Sequence, residues 1–255
     1  MQKLDVSRGI RFDMPLTQGS CGRALAAVIA GFSLQSAVAQ DNTAPGLARL
    51  AALESELTAL EQEIELLEDT KAIKRLQRAY GYYADKKLAE QIGDLFASDA
   101  TAEIGGLGVY VGKERITEFY SWLMGDLEYG QLFNHMILQG VVNVALDGGT
   151  AKGRWRALIQ IGQHGESAIW SEGPYENEYV KEDGIWKFSK VHWYQSLAAP
   201  YDPGWHIAQI QMDGPSEEFP PDLPPTEVYE SYPGAYLPRF HYDNPVSGRP
   251  AEGGQ

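Results

Sequence analysis

Cysteine is almost missing from this sequence of 255 residues, which holds only Cys21. A single cysteine excludes a disulfide framework and a zinc site built from several thiolates. No HExxH motif occurs, and no two histidines stand at ligand spacing on one element. The histidines are scattered at His135, His164, His192, His206 and His241. We therefore expect no metal site and no cofactor bound through thiolates.

Positive charge and long apolar runs are scarce too. The 21 basic residues face 35 acidic ones, which gives a net charge of −14. This balance is opposite to that of proteins that bind a phosphate backbone, so nucleic acid is not an expected partner. The apolar run Ala24–Leu34 has too few residues to cross a bilayer as a helix. We expect no stable membrane insertion.

The N-terminus has the order of a secretory signal. Arg8, Arg11 and Arg23 precede the apolar run, and the small residues of Ser36–Ala39 follow it. This pattern predicts a signal peptide over residues 1–39, cleavage after Ala39, and a periplasmic or secreted protein without cysteine. The alternative is an extension that is never cut, in a cytoplasmic protein.

Residues 40–68 predict an acidic amphipathic helix with heptad spacing. Its apolar residues recur in steps of three or four, at Leu47, Leu50, Leu53, Leu57, Leu60, Ile64 and Leu67. Glutamates flank this row from Glu54 to Glu68. The helix either pairs between subunits, in a homo-oligomer that we expect to be a dimer or trimer, or packs alone on its own domain.

The rest of the chain predicts helices followed by strands. Helical spacing runs from Asp69 to about Leu95 and again over residues 113–122. Four strand-like runs follow, joined by turn signals at Asp147-Gly148-Gly149 and Glu182-Asp183-Gly184. This order indicates an α+β domain over residues 69–199, with helices on one face of an antiparallel sheet.

The segment 200–255 has a composition of its own. It holds 11 of the 14 prolines together with many tyrosines. Disordered linkers are poor in aromatic residues. We therefore expect an extended tail that wraps the domain or a neighbouring subunit.

Several motifs resemble the SnoaL-like, nuclear transport factor 2-like superfamily. Tyr80 and Asp85 stand five residues apart before Leu95-Phe96 and Asp99-Ala100. Further on, VGKERITEF, FNHM and DGIWKFSKVHW follow in the family's order, and the match covers residues 73–194. The resemblance implies a cone of curved sheet, closed by N-terminal helices around an apolar cavity, and an enzyme that needs no cofactor.

The resemblance also implies roles for three residues. Tyr80 falls where the family's ketosteroid isomerases have their oxyanion-hole tyrosine. Asp85 and His135 fall where its scytalone dehydratases have the catalytic aspartate and the first of two histidines. The second histidine has no counterpart here, and Ile104 replaces the isomerases' base. The chain copies neither mechanism whole.

The tail resembles members of the family that act on lignin-derived aromatic dimers, the diarylpropane lyases. This implies loss of a benzylic hydroxyl through a quinone methide and release of formaldehyde to give a stilbene. His135 would transfer protons because its pKa lies near working pH. Asp85 would orient His135 or accept a proton, and Tyr80 would stabilise an oxyanion. The alternatives are a simple dehydratase of an aromatic or polyketide substrate and a non-catalytic ligand-binding or dimerisation module.

The remaining candidates would bind the small aromatic substrate. Arg154 or Arg156 would stabilise a phenolate. Strand alternation places these two on one face and Trp155 on the other, so only one set lines the cavity. Which set does so stays open. An aromatic-rich wall suits an aromatic ligand, and the candidates for it are Tyr83, Tyr175, Asn177 and His192.

Overall fold

The computed structural model describes residues 43–251. The predicted signal peptide lies outside the described residues. In the described part, no helix is long and apolar enough to cross a membrane. The elements in chain order are α1 (Thr43–Asp85), α2 (Ala89–Gly93), β1 (Phe96–Ile104), β2 (Val109–Val111), α3 (Lys113–Met124), β3 (Gln131–Val144), β4 (Thr150–Gln163), β5 (Ser167–Glu182), β6 (Ile185–Trp193) and β7 (Leu197–Pro200).

The first helix is continuous where the sequence analysis separates two helical stretches. Residues 68–70 contain neither glycine nor proline, so nothing interrupts α1 at Asp69. The helix ends at Asp85 instead of running on to Leu95, because the chain turns through Lys87 with φ of 55°. The short α2 follows this turn. Only the second half of α1 packs on the domain, through a buried row at Ile73, Gln77, Tyr80 and Ala84.

The seven strands form one sheet in the order β2-β1-β6-β5-β4-β3, with β7 paired to β5. The prediction of an antiparallel sheet is wrong in part, because β1 and β6 run parallel. The chain reaches β6 only after four intervening strands, and no local signal marks such a distant pairing. The α+β class is confirmed, and the sheet is mixed. Its edge strands β2 and β3 do not pair with each other in the described part of the chain, so the sheet is not closed into a barrel.

Both predicted hairpins are confirmed. β3 and β4 pair in antiparallel register on either side of the turn at Asp147 and Gly148. β5 and β6 pair around Asp183 and Gly184, whose φ angles of 50° and 77° are those of a tight two-residue turn.

The sheet bends where β3 carries an irregularity between Leu138 and Val141. Gln139 has φ of 50° at this point, and the indole of Trp155 on β4 fills the space beside Gly140. A Cβ on Gly140 would lie 2.1 Å from the Trp155 ring, so only glycine fits here. An extra residue in one strand increases local twist and bend. The bend curves β3 and β4 over the core.

The tail packs against the domain through named contacts. Tyr110 Oη donates to the Phe219 carbonyl at 3.0 Å. The Thr226 backbone N–H and hydroxyl donate to the buried Glu103 carboxylate at 2.8 and 2.7 Å. The Tyr229 hydroxyl accepts from the backbone N–H of Gln195, which lies between β6 and β7, at 2.8 Å. These contacts hold the tail along β1, β2 and the end of β6.

Candidate active site

A cavity of about 280 Å³ lies between the end of α1, α3 and the inner face of the sheet. Most of its wall is apolar, supplied by Ile104, Leu107, Leu123, Met124, Phe133, Ile159, Ile161 and Met212. Its polar side chains are Tyr80, Tyr120, His135, Ser171, Tyr175, Gln195 and Asp213. Among the described residues that line it, none is lysine or arginine. The cavity therefore suits an uncharged ligand with few polar groups.

Four of the polar side chains form one hydrogen-bond chain. The Tyr80 hydroxyl lies 3.0 Å from the Tyr120 hydroxyl and 3.2 Å from the Tyr175 hydroxyl. The Tyr175 hydroxyl in turn lies 3.0 Å from His135 Nε2. Helix α1 supplies Tyr80, α3 supplies Tyr120, and β5 and β3 supply the other two. The chain Tyr120–Tyr80–Tyr175–His135 thus joins three layers of the fold at the cavity.

Burial keeps all four groups neutral. It lowers the pKa of His135 from 6.5 to about 4. It also raises the pKa of Tyr80, against the opposing effect of its two hydrogen bonds, and raises those of Tyr120 and Tyr175 well above 10. At neutral pH His135 is consequently an uncharged imidazole that can accept a proton, and the tyrosines are hydrogen-bond donors rather than phenolates.

The chain of hydroxyls admits two neutral orientations, because each hydroxyl carries one proton. If His135 Nε2 accepts from Tyr175, the imidazole proton sits on Nδ1, which has no partner among the described residues. If Nε2 donates, every proton points the other way and the Tyr120 hydroxyl has one free for a ligand. Exchange between the two orientations moves a proton from one end of the chain to the other. The chain can therefore pass a proton between its two ends, and all four groups are neutral before and after the transfer.

Asp85 touches the backbone of His135 rather than its ring. Its carboxylate accepts from the His135 N–H in a short hydrogen bond. Asp85 is absent from the cavity wall and lines a separate surface groove with Arg78, Tyr82 and Asn134. This contact fixes β3 to the end of α1, where Gly81 allows the two to approach. Asp85 is placed to position His135.

The two arginines proposed for phenolate binding lie outside the cavity. Arg154 pairs with Glu176, and its guanidinium stacks 3.8 Å from the Phe240 ring. Arg156 pairs with Glu172 on the same outer face of β4 and β5. Both follow the alternation of β4, whose inward positions include Trp155. The sheet thus directs the cationic side chains to the face opposite the cavity.

Trp155 and Asn177 point inward but form a second buried cluster. The Trp155 indole donates to the Tyr179 hydroxyl at 2.8 Å, and this hydroxyl donates to Gln77 Oε1 at 2.8 Å. Asn177 Nδ2 donates to the same Gln77 oxygen at 2.9 Å. None of these residues lines the cavity. They join α1 to the sheet, so their role is structural.

Tyr83 and His192 also lie apart from the cavity. Tyr83 is half-buried against the core. His192 is buried, with Nε2 3.5 Å from Glu103 and its ring stacked 3.9 Å from the Tyr194 ring. Burial lowers the pKa of His192 to about 3. Of the residues predicted for the site, the structure brings Tyr80, His135 and Tyr175 together.

Sequence reasoning missed Tyr120, Trp193, Met212 and Asp213. Tyr120 follows Ile116 by four residues on the buried face of α3, a spacing that core residues share. Met212 and Asp213 belong to the tail, and Met212 contacts the turn at Gly105. Only the tertiary fold brings these positions to one cavity. The Trp193 indole nitrogen is buried there with no partner among the described residues.

A curved mixed sheet with helices closing an apolar cavity defines a fold class shared by many small α+β proteins. The SnoaL-like domain family matches residues 65–192, about half of the chain. The chain belongs to this family, as the motif resemblance predicts.

Solved structures with the same fold agree. A candidate scytalone dehydratase from Novosphingobium aromaticivorans is 18% identical over 61% of this chain and 97% of its own, with a TM-score of 0.50. LinA is 21% identical over 55% of this chain and 93% of its own, with a TM-score of 0.50. The type 3 LinA, a hexachlorocyclohexane dehydrochlorinase from Novosphingobium barchaimii, is 22% identical over 54% and 93%, with a TM-score of 0.49. At these identities the likeness to the first two structures, whose TM-scores are 0.50, shows the fold alone.

Proposed function

We propose that this protein is a lyase that needs no cofactor and eliminates the benzylic hydroxyl of a phenolic aromatic, a lignin-derived diarylpropane dimer. The observation that carries the proposal is the Tyr120–Tyr80–Tyr175–His135 chain ending on an apolar cavity. Elimination needs a donor for the departing oxygen and an acceptor for a proton, and this chain contains both. The dehydratase name of one structural neighbour agrees with an elimination.

The reaction proceeds in two steps. In the first, the benzylic carbon–oxygen bond breaks, the hydroxyl leaves as water, and the phenol loses its proton to give a quinone methide. In the second, a base takes the proton of the terminal hydroxymethyl group, the carbon–carbon bond breaks, and formaldehyde leaves. The electron pair forms the alkene and turns the quinone methide into a phenolate, which takes the proton back from the base, so the products are a stilbene, water and formaldehyde.

The protonation states of the residues assign the proton acceptor and the proton donor. Neutral His135 accepts a proton at Nδ1, the nitrogen left free when Nε2 donates to Tyr175, because its pKa of about 4 leaves the imidazole uncharged at neutral pH. Tyr120 donates to the departing oxygen in the orientation that frees its hydroxyl proton. Tyr80 links the two and stabilises negative charge, as hydroxyl donors do where charge develops. Asp85 positions His135 through the backbone of β3.

A paired substrate assay tests the proposal. The protein is incubated with a phenolic diarylpropane diol and with the same diol methylated at the phenol, which cannot form a quinone methide. We expect equal amounts of stilbene and formaldehyde from the first compound and neither from the second. Formation of neither product from the free phenol would refute the lyase proposal.

Variants assign the roles within the same assay. His135→Gln and Tyr120→Phe should each lower turnover by at least about a hundredfold, since general acid–base groups contribute 10²–10⁴-fold. The matched control is His164→Gln, which changes an exposed histidine outside the cavity. Full activity of His135→Gln would remove His135 from the mechanism.

The size of the cavity favours a second candidate, a simple dehydratase acting on a smaller aromatic or polyketide. Its volume of about 280 Å³ lies at the lower edge of the range of roughly 300–1,000 Å³ for small-molecule sites. The same acid–base chain would serve a reaction that stops after loss of water. An alkene without formaldehyde from the diol would favour this candidate.

A further inference from the structure

The first half of α1 presents a row of exposed apolar side chains in the described part of the chain. We call this row the leucine seam: Leu50, Leu53, Leu57, Leu60, Ile64 and Leu67. Each of these residues is 52–63% exposed. Every described side chain from residue 45 to 68 is exposed. The domain reaches this part of the helix only near its end, where Lys181 bonds to Glu65 at 3.2 Å and Ile64 borders a groove beside Trp186. A contiguous exposed apolar surface indicates an interaction site.

The spacing of the leucine seam is that of a coiled coil. Its steps are three, four, three, four and three residues, which place Leu50, Leu57 and Ile64 at a positions and the others at d. Such a row inserts into an identical row on a second helix, because each a or d side chain fills a space between four residues of its partner. The seam is therefore complementary to itself.

We propose that the leucine seam pairs with the same seam of a second copy of this chain. About 100 Å² remains accessible on each of the six side chains, so two seams would bury roughly 1,200 Å², the lower limit for a stable specific interface. Helix α1 is unbroken from Thr43 to Asp85, so its second half, which packs on the domain, already orders the seam. The pairing is thus weak but preorganised.

The flanking charges oppose this pairing and make its strength depend on the salt concentration. Positions e and g carry Glu54, Glu56, Glu61, Glu63 and Glu68. In a parallel pair Glu54 faces Arg49 of the partner, whereas the other glutamates face glutamates, so repulsion across the seam exceeds attraction. At an ionic strength of 0.1 M, the interaction between exposed charges is largely screened beyond a distance of about 10 Å. Self-association should therefore strengthen as salt is added, whereas pairing with a basic helix would weaken.

Analytical ultracentrifugation of the full chain tests the proposal from about 1 to 100 µM at pH 7.5. We expect twice the mass of one chain at the upper end, and a dissociation constant that falls at least about threefold from 50 to 500 mM salt. The seam variant Leu53→Glu/Leu60→Glu should raise the dissociation constant at least about tenfold. The matched control, Ser55→Glu/Gln62→Glu, adds the same charge on the opposite helix face and should change it less than threefold.

Two outcomes would overturn the proposal. One is a monomer at 100 µM, which would leave the seam to a different protein or to residues 1–42. The other is an oligomer whose mass is the same in the seam variant, which would place the contact elsewhere. Because the seam residues are exposed in one chain, the variants should keep the domain's thermal unfolding midpoint, which shows that any loss of pairing is not unfolding.

Discussion

The central hydroxyl of the tyrosine chain offers the sharpest test of the site. Tyr80→Phe removes one oxygen, keeps the ring, and breaks the bonds to both Tyr120 and Tyr175. A neutral hydrogen bond stabilises a protein by about 1 kcal/mol net, and a buried polar group left without a partner costs about 1–3 kcal/mol. Since the Tyr120 hydroxyl would then lie buried without a partner, we expect a total cost of about 2–4 kcal/mol.

Tyr120→Phe is the matched comparison, because Tyr120 is an end of the chain. It loses one hydrogen bond, and Tyr80 keeps its bond to Tyr175. We expect a cost of about 1 kcal/mol. The measurement is urea unfolding of both variants and the unaltered protein, with the slope m checked for constancy so that the midpoints report stability.

The difference between the two variants carries the argument. If Tyr80→Phe costs no more than Tyr120→Phe, the central hydroxyl does not hold both neighbours, and the relay proposed for catalysis has no continuous path. The expected difference of at least 1 kcal/mol corresponds to about 2–4 °C in the unfolding midpoint of a domain of this size, which calorimetry resolves.

Three further predictions concern pH, packing and the tail. The unfolded His135 imidazole takes up a proton below about pH 6.5 and the folded one only below about pH 4, so stability falls as pH drops through this window. Between pH 8 and pH 5, urea unfolding should show a loss of stability that is about 2 kcal/mol smaller in His135→Gln than in the unaltered protein, while the loss from His192, whose pKa burial lowers to about 3, remains in both. Gly140→Ala should cost about 1–3 kcal/mol by calorimetry, because its Cβ would overlap the Trp155 ring; an unchanged midpoint would show that β3 yields there. Thr226→Val removes a hydroxyl that donates to Glu103, so limited proteolysis of the tail should accelerate about tenfold; unchanged cleavage would mean that this contact does not hold the tail.

The sequence predicts those parts of the fold that have local signals. Both hairpins follow from turn residues between alternating strands, and α3 follows from its helical spacing. The parallel pairing of β1 with β6 joins Thr101 to Lys190, residues far apart in the chain, and leaves no periodic trace in either strand. The glycine-rich stretch around β1 and β2 accordingly predicts only that the preceding helix has ended, and it does not predict these two strands.

The candidate site likewise has features that local sequence signals predict and features that they do not. Strand alternation predicts that Arg154 and Arg156 share a face opposite Trp155, and the structure shows this. The choice of face depends on the space beside Gly140, which a large ring fills, and that space exists only after β3 bends. Local spacing therefore yields the two sets of residues, while packing decides which set points inward.

The position of the arginines changes the electrostatics expected of the reaction. Without a lysine or arginine among the described lining residues, the cavity offers no fixed positive charge to lower the pKa of a substrate phenol. Its hydroxyls are neutral, because burial raises the pKa of each cavity tyrosine. A substrate phenol in this setting stays protonated at rest, since an apolar wall penalises the phenolate more than neutral donors stabilise it. In the proposed reaction the phenol proton must then leave as the benzylic bond breaks, and neutral His135, which lines the cavity beside Tyr175, is in a protonation state that can accept it.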